Sequence, residues 1–211
     1  MAELRKKRVL YNSNYSKLFT GFGKNTKNVL TYLQKTGKYE LLEYAAQMQA
    51  NNPDLQQLPW KAHGALPFTP PEIQVLNSDP AKAQRAAYGE YFVEKVVSEF
   101  RPDVAFFVED AWGIGFNTGK NFWGKISSVF WATHDSIPLI AKEDATKTKH
   151  YWTWSDFARK EFHKQGKEYQ HVKTQYPLVD LSGFYNLGAV SYTHLRAHET
   201  KANLVCRLLL E

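Results

Sequence analysis

DVAFFVEDAW (residues 103–112) and SSVFWATHDS (residues 127–136) are two apolar runs that each end in polar residues. Each run is too short for a typical helix, and a continuous apolar run indicates a strand that is buried on both faces of its sheet. Ligands of parallel sheets bind beyond the carboxyl ends of the strands. The two runs therefore predict a parallel sheet with a polar site at one edge.

The segments on either side extend this pattern into alternating strands and helices. Such alternation implies right-handed crossovers and a parallel sheet, so the predicted fold class is α/β, a Rossmann-like parallel sheet with helices on both faces. Residues 48–80 contain six prolines and are predicted to be mainly loop. The predicted strands are 8–13, 39–46, 103–110, 127–133, 150–154 and 170–177, and the predicted helices are 24–37, 81–101, 138–148 and 155–166.

Length and composition restrict the class of protein. The 211 residues, 43% of them hydrophobic, are enough for one well-buried domain or two small ones and exclude a disordered chain. No apolar run approaches the ~20 residues that a membrane span needs, and the first residues show no secretory signal. We therefore expect a cytoplasmic protein without a transmembrane segment. The single cysteine excludes a disulfide framework and a thiolate metal site.

The last residues differ from those before them. VSYTHLRAHETKANLVCRLLLE (residues 190–211) contains the cysteine but no Gly, Pro, Trp or Phe, and it resembles the translated read-through of a sequencing adaptor. We expect residues 1–188 to form the domain and residues 189–211 to be a non-native tail. The alternative is that the end of this segment forms a short helix with an apolar face.

A glycine-containing segment, TGFGKNT (residues 20–26), follows the first predicted strand. Glycines allow a ligand to approach the backbone, and free N–H groups at a helix start bind anions such as phosphate. We predict phosphate binding by Gly21, Phe22, Gly23 and Lys24. The segment is neither GxGxxG nor a P-loop, and a plain chain reversal is an equal alternative.

Two polar groups follow the buried runs. Glu109, Asp110 and Trp112 come after the first, and acids at a strand end can orient hydroxyls or transfer protons. Alternatively, one acid caps the next segment and the other is solvated. His134 and Asp135 come after the second, and such a histidine can donate to a substrate oxygen, although a hydrogen-bonded structural histidine is the alternative. There is no G-x-S-x-G elbow, which argues against a hydrolase.

The sequence favours neither a metal site nor a nucleic-acid interface. It has no HExxH motif or cluster of ligands with metal-binding spacing. Its aromatic residues fall at core spacing and are not interleaved with a basic face, so nucleic acid is not an expected partner. The formal net charge of +6 has two interpretations. The basic residues form an ordinary solvated surface, or they attract nucleotide phosphates or the anionic surface of a membrane that the protein contacts peripherally.

Five segments in order resemble family 4 glycosyltransferases, over about residues 8–187. They are RVLYNSN with FTGFGKNTKNVLTYLQKTGKYEL, then RPDVAFFVEDAW, SVFWATHDSIPL, HYWTWSDFARKEFHKQG and HVKTQYPLVDLSGFYNL. The last segment keeps the Pro, Val, Asp and Phe of the family pattern but has Leu178 where the family commonly has glycine.

The resemblance implies the N-terminal, acceptor-side half of a two-domain GT-B enzyme that transfers a sugar with retention from a nucleotide diphosphate-sugar donor. It implies donor phosphates at Gly21–Lys24, catalytic roles for His134 and Asp135 beside the transferred sugar, and Glu109, Asp110 and Trp112 facing a glycan, lipid or protein acceptor. No covalently bound cofactor is implied. Because the donor domain is missing from this sequence, the resemblance also implies a truncated chain that is inactive alone.

A second hypothesis remains from a different functional class. The predicted βα layer with its phosphate-compatible segment is also typical of a stand-alone Rossmann-like nucleotide- or phosphate-binding module without catalysis. Tight binding of nucleotide-sugars by this chain would favour the module, because a one-sided cleft of a two-domain enzyme loses half of its contacts.

Overall fold

A computed structural model describes residues 5–180, which contain one sheet of seven parallel strands. The strand order is β3-β2-β1-β4-β5-β6-β7, so the predicted Rossmann-like parallel sheet is confirmed. The predicted tail and its boundary at 188/189 lie outside the described residues. The strands are β1 Lys7–Asn14, β2 Tyr39–Gln49, β3 Lys61–Leu66, β4 Val104–Asp110, β5 Ser127–Thr133, β6 His150–Thr153 and β7 Lys173–Thr174.

Helices connect most of the strands. The α-helices are α1 Gly21–Lys35, α2 Pro70–Asn77, α3 Pro80–Ala87, α4 Val93–Phe100, α5 Ala111–Ile114, α6 Glu143–Thr146 and α7 Asp156–Gln165. Short 3-10 turns occur at Pro53–Gln57, Gly115–Gly119 and Lys167–Tyr169.

The helices lie on both faces of the sheet, as predicted. Side chains of a strand alternate between the faces, and one face is packed by α4 and α7, through Val93 and Phe162 among others. The opposite face is packed by α1 through Leu30. Both faces are apolar because each is covered, which explains why the central strands read as continuous apolar runs.

The prediction of loop over residues 48–80 was wrong in two places, because this segment contains β3 and α2. Pro70 and Pro71 do not prevent α2 but occupy its first positions, where a missing N–H costs nothing and the fixed φ favours the helix. Two other predictions were too long. Residues 138–148 are helical only in α6, and residues 170–177 form a strand only in β7.

The predicted helix 81–101 is two helices, α3 and α4, with a break over residues 88–92. Gly89 has φ +114° there, a conformation that favours glycine. The Tyr44 hydroxyl, from β2, donates to the Gly89 carbonyl at 2.6 Å and accepts from the Phe92 N–H at 3.2 Å. A side chain distant in sequence therefore satisfies backbone groups at the break, and the apolar spacing alone gave no sign of it.

The sheet places its central strands around a topological switch point. From β1 the chain moves to β2 on one side, and it later adds β4 on the other side of β1. Connections that diverge in this way leave a crevice beyond the carboxyl ends of the two strands. We call this region, formed by the carboxyl ends of β1, β4 and β5 and the start of α1, the switch edge.

Candidate functional site

Glu109 is the buried carboxyl group of the switch edge. It lies near the end of β4, is 2% exposed, and accepts a hydrogen bond from the backbone N–H of Asn14 at 3.0 Å. Burial raises the pKa of Glu109 to about 8, and the charge of Asp110 acts in the same direction. A carboxyl group that titrates near neutral pH is suited to exchange a proton with a bound hydroxyl.

Hydrogen bonds connect Glu109 to the start of α1. Asn14 donates its backbone N–H to the Glu109 carboxyl group. Its side-chain amide also donates to Thr20 Oγ1, at 3.1 Å. Thr20 is the N-cap of α1, and its hydroxyl accepts from the N–H of Gly23 at 2.9 Å. The predicted acidic group and the predicted phosphate segment are thus held together through Asn14 and Thr20.

Sequence reasoning did not single out Asn14. Its signal was the NSN at the end of the first strand, since polar residues at the carboxyl end of a central strand lie where ligands bind. The side-chain oxygen Asn14 Oδ1 is buried and has no hydrogen-bond partner among residues 5–180. Asn14 therefore has an acceptor available as well as a positioning role.

The glycines belong to the first turn of α1 and not to a loop before it, which corrects the predicted helix start at residue 24. A Cβ on Gly23 would collide with the carbonyl oxygen of Leu18 and lie 2.9 Å from that of Tyr15. A Cβ on Gly21 would have nothing within 4 Å. Gly23 is therefore required by packing, while the helix start at Gly21 is open.

The first turn of α1 has N–H groups available for an anion. Thr20 accepts from the N–H of Gly23 through its hydroxyl and from that of Lys24 through its carbonyl. Within residues 5–180 this leaves the N–H groups of Gly21 and Phe22 without a partner in the first turn. Such groups at the positive end of a 15-residue helix favour a phosphate.

Phe22 and Lys24 flank this turn on different sides. The Phe22 ring packs edge-on against Trp154 at 4.9 Å and so attaches the start of α1 to the segment after β6. Lys24 is exposed, with Nζ 4.0 Å from the ring centre of Phe19, a side chain that is 90% exposed. Phe22 can contribute its backbone to an anion site, and Lys24 can contribute its charge.

Asp110 and Trp112 are less buried than Glu109. Thr133 at the end of β5 donates its hydroxyl to Asp110 Oδ1, which ties the ends of the two strands together. Because neighbouring strand residues point to opposite faces, Asp110 and Glu109 do not share one carboxylate site. Trp112 is 46% exposed and rests edge-on against Tyr88 at 5.1 Å.

His134 is buried among aromatic rings, with Nε2 2.8 Å from the Tyr151 hydroxyl and its ring edge-on to Phe162 at 4.9 Å. Burial lowers the pKa of His134 to about 4, although the charge of Asp135 opposes this shift. Burial raises the pKa of Tyr151, so its hydroxyl stays protonated and can donate to Nε2. The imidazole is therefore neutral at pH 7 and can hold its proton on Nδ1.

These partners agree with the structural alternative for His134. A neutral ring acts as a hydrogen-bond donor or acceptor and not as a positive charge. Asp135 is exposed in the loop after β5. The structure thus connects Glu109 to the start of α1, and it gives His134 a separate set of partners toward β6 and α7.

No group of three or more His, Cys, Asp or Glu residues within 5–180 is placed to hold a metal ion. No helix in the same range is long and apolar enough to cross a membrane.

Comparisons with known proteins show little at the level of sequence. No family model matches the chain, and no curated protein matches it. Among solved structures, a chain of sucrose-phosphate synthase from Thermosynechococcus elongatus is similar over 98% of this chain and 100% of that chain, with 11% identity and a TM-score of 0.46. The fold described above depends on the strand order and not on this similarity.

Alanine substitutions distinguish the roles of the two glycines of α1. Gly23→Ala is expected to lower the free energy of unfolding by about 1–3 kcal/mol, because the new methyl group overpacks against two backbone carbonyls. Gly21→Ala is the matched control and should change it by less than about 0.5 kcal/mol or increase it. Urea unfolding followed by circular dichroism measures both. Equal effects of the two substitutions would contradict the packing role of Gly23.

Proposed function

We propose that the chain is the acceptor-side domain of a retaining glycosyltransferase that uses a nucleotide diphosphate-sugar donor. The observation that carries the proposal is the hydrogen-bonded connection from Glu109 through Asn14 and Thr20 to the start of α1. It places a carboxyl group that titrates near neutral pH next to a helix start suited to phosphate. Sugar transfer from a nucleotide diphosphate requires both a bound phosphate and a reacting hydroxyl. The order of the five sequence segments supports the same family.

In this proposal the donor phosphates lie at the N–H groups of Gly21 and Phe22, with Lys24 adding positive charge. Gly23 shapes the turn and does not bind the donor directly. The helix N-terminus and the lysine compensate negative charge as the nucleotide diphosphate leaves. The second domain that the resemblance implies would supply the rest of this compensation, so we propose that this chain alone transfers little sugar.

The acceptor lies on the β4 side of the switch edge. Glu109 in its protonated form donates to an acceptor hydroxyl, and in its ionised form it accepts a proton. Asp110, held by Thr133, points to the other face of β4 and is therefore proposed to accept from a different part of the acceptor molecule. The half-exposed ring of Trp112 offers an apolar surface for a sugar ring or another part of a glycan, lipid or protein acceptor.

His134 is proposed to bind the transferred sugar as a neutral donor. The Tyr151 hydroxyl fixes the proton of the imidazole on Nδ1 when it donates to Nε2. A neutral imidazole that donates to a sugar hydroxyl needs no change of charge during the reaction, which agrees with its low pKa. Asp135 is proposed to lie beside the same sugar, from the exposed loop that follows.

The proposal is tested by titrating the ¹⁵N-labelled chain with UDP-glucose and GDP-mannose. We expect weak, millimolar binding with amide shifts at Gly21, Phe22 and Lys24. Gly21→Asp places a negative charge where a Cβ meets nothing within 4 Å, so it should abolish these shifts without unfolding the chain. Gly119→Asp is the matched control at another glycine with open space, and it should leave them unchanged. Shifts that leave the start of α1 unaffected, or none at millimolar ligand, would contradict the proposal.

A phosphate-binding module without catalysis is the second candidate, favoured by the two available N–H groups of α1. It differs in the strength of binding by this chain alone. Micromolar affinity of this chain for a nucleotide-sugar, abolished by Gly21→Asp, would support the module.

A further inference from the structure

A cavity of about 340 Å³ lies at the opposite edge of the sheet from the switch edge. It is formed where β5 and β6 begin, between the turn that precedes β5 and the segment that precedes β6. Its volume is at the lower end of the range for small-molecule sites. The lining side chains used below are Trp123, Lys125, Ser128, Lys147 and Lys149.

The cavity is strongly basic. Lys125 and Lys149 are exposed, and neither has an ion pair among residues 5–180. Lys147 is 3.8 Å from Asp144, whose other close partner is the Thr118 hydroxyl at 2.6 Å. The residues that line the cavity include three lysines and no carboxylate, and this excess positive charge favours an anion of more than one negative charge.

Ser128 supplies a second, independent observation. It is 7% exposed, lines the cavity, and its Oγ is buried without a hydrogen-bond partner among residues 5–180. A buried hydroxyl without a partner is costly, and most such groups in folded proteins find one. A ligand oxygen that reached this hydroxyl would accept a hydrogen bond from it.

The walls of the cavity are held in place before any ligand binds. The Trp123 indole N–H donates to the Lys147 carbonyl at 3.2 Å and so connects the two lining segments. The Trp123 ring also packs against Phe107 at 5.3 Å and Phe130 at 6.3 Å. A preformed site loses less free energy to ordering when a ligand binds.

We propose that this basic cavity binds a phosphate-bearing small molecule, with the lysines compensating its charge and Ser128 donating to a phosphate oxygen. The site lies at the amino ends of β5 and β6, whereas the proposed donor phosphates lie at the carboxyl ends of the strands. It is therefore separate from the switch edge and does not depend on the function proposed there. A ligand bound in the cavity would not occupy the switch edge, so the cavity would be an effector site or a second ligand site.

Pyrophosphate is the probe for this site, titrated into the ¹⁵N-labelled Gly21→Asp variant so that the start of α1 does not compete. We expect saturable shifts of the Trp123 indole resonance and of the Gly124 and Lys149 amides. NaCl at matched ionic strength should not reproduce them. Shifts confined to other surfaces, or shifts that NaCl reproduces, would overturn the proposal.

Charge reversal distinguishes binding in this cavity from nonspecific attraction of pyrophosphate to a basic protein surface. Lys125→Glu/Lys149→Glu is expected to weaken pyrophosphate binding by at least about tenfold, because both lysines are exposed and their reversal changes the field at the ligand. Lys35→Glu/Lys38→Glu makes the same change of net charge at two exposed lysines outside the cavity. It should change the affinity less than about twofold. Equal weakening by both pairs would overturn the proposal.

Ser128→Ala tests the hydroxyl. It should weaken pyrophosphate binding by about fivefold, the effect of one lost hydrogen bond. Because it removes a buried hydroxyl without a partner, it should not lower the urea midpoint of the ligand-free chain. A fall in the midpoint with unchanged affinity would mean that Ser128 has a structural role only, and would contradict its part in the proposal.

Discussion

Glu43→Ala is expected to lower the free energy of unfolding by about 3–5 kcal/mol, although Glu43 is not part of the proposed site. The side chain is fully buried in β2. It accepts from the backbone N–H of Ser16 at 2.7 Å, from the Ser16 hydroxyl at 2.8 Å and from the Trp60 indole N–H at 2.7 Å. Alanine would leave these three donors without their acceptor and a cavity beside them.

The same contacts show why Glu43 matters for the switch edge. Ser16 lies in the segment that leads from β1 to α1, and Trp60 directly precedes β3. One carboxyl group therefore attaches the loop after the central strand to the neighbouring part of the sheet. Burial raises the pKa of Glu43, while its three donors act in the opposite direction.

Urea unfolding of three variants tests this role. Glu43→Gln keeps an acceptor oxygen of the same reach and should cost about 1–2 kcal/mol, less than alanine does. Glu94→Ala, at an exposed position of α4, is the control and should stay within about 0.5 kcal/mol of the unchanged protein. A loss below about 1 kcal/mol for Glu43→Ala would show that the loop is held by other contacts.

The second large effect is a fall in stability with rising pH that Glu109→Gln removes. The pKa of Glu109 rises from its ordinary value of 4.5 to about 8 in the folded chain. Between these values the folded state keeps a proton that the unfolded state releases, so the free energy of unfolding falls as pH rises. Over the full interval this amounts to about 4–5 kcal/mol.

His134 acts in the opposite direction at lower pH. Its pKa falls from 6.5 to about 4, so between these values the unfolded state binds the extra proton and stability increases with pH. The two groups largely compensate each other between pH 4.5 and 6.5. Between pH 6.5 and 8 the contribution of Glu109 is unopposed by His134, and about 2 kcal/mol of stability should be lost.

Urea unfolding at several pH values from 4.5 to 8 measures this difference. Glu109→Gln keeps an acceptor for the Asn14 N–H but cannot ionise, so its stability should lack the fall with rising pH that Glu109 contributes. The difference between the variant and the unchanged protein removes the contributions of all other groups. If that difference is independent of pH, the pKa of Glu109 is close to its ordinary value and a proton-transfer role is contradicted.

Much of the sheet was predictable because the relevant signals are local. The apolar runs of β4 and β5 are dense enough to indicate strands buried on both faces. Helix α7 has Ser155 as its N-cap, with the hydroxyl accepting from the Ala158 N–H at 3.2 Å, as its sequence indicates. Strand β3 was missed because KAHGAL has little β-propensity and its pairing with β2 determines its conformation.

Only part of the candidate site could be predicted from the sequence. Glu109 and the glycines of α1 could be singled out because acids at a strand end and glycines before a helix have a local meaning. Asn14 could not be connected to them, since it lies 95 residues from Glu109 in the chain. The partnership of His134 with Tyr151 likewise depends on the pairing of β5 with β6.

By itself the sequence determined the α/β class, the central strands and the polar ends of those strands, because hydrophobic periodicity and helix-start signals act over a few neighbouring residues. Only the tertiary structure decided which polar groups are buried and which partners they meet. Those decisions set the high pKa of Glu109 and the low pKa of His134, since burial and hydrogen bonding arise only when distant strands pair.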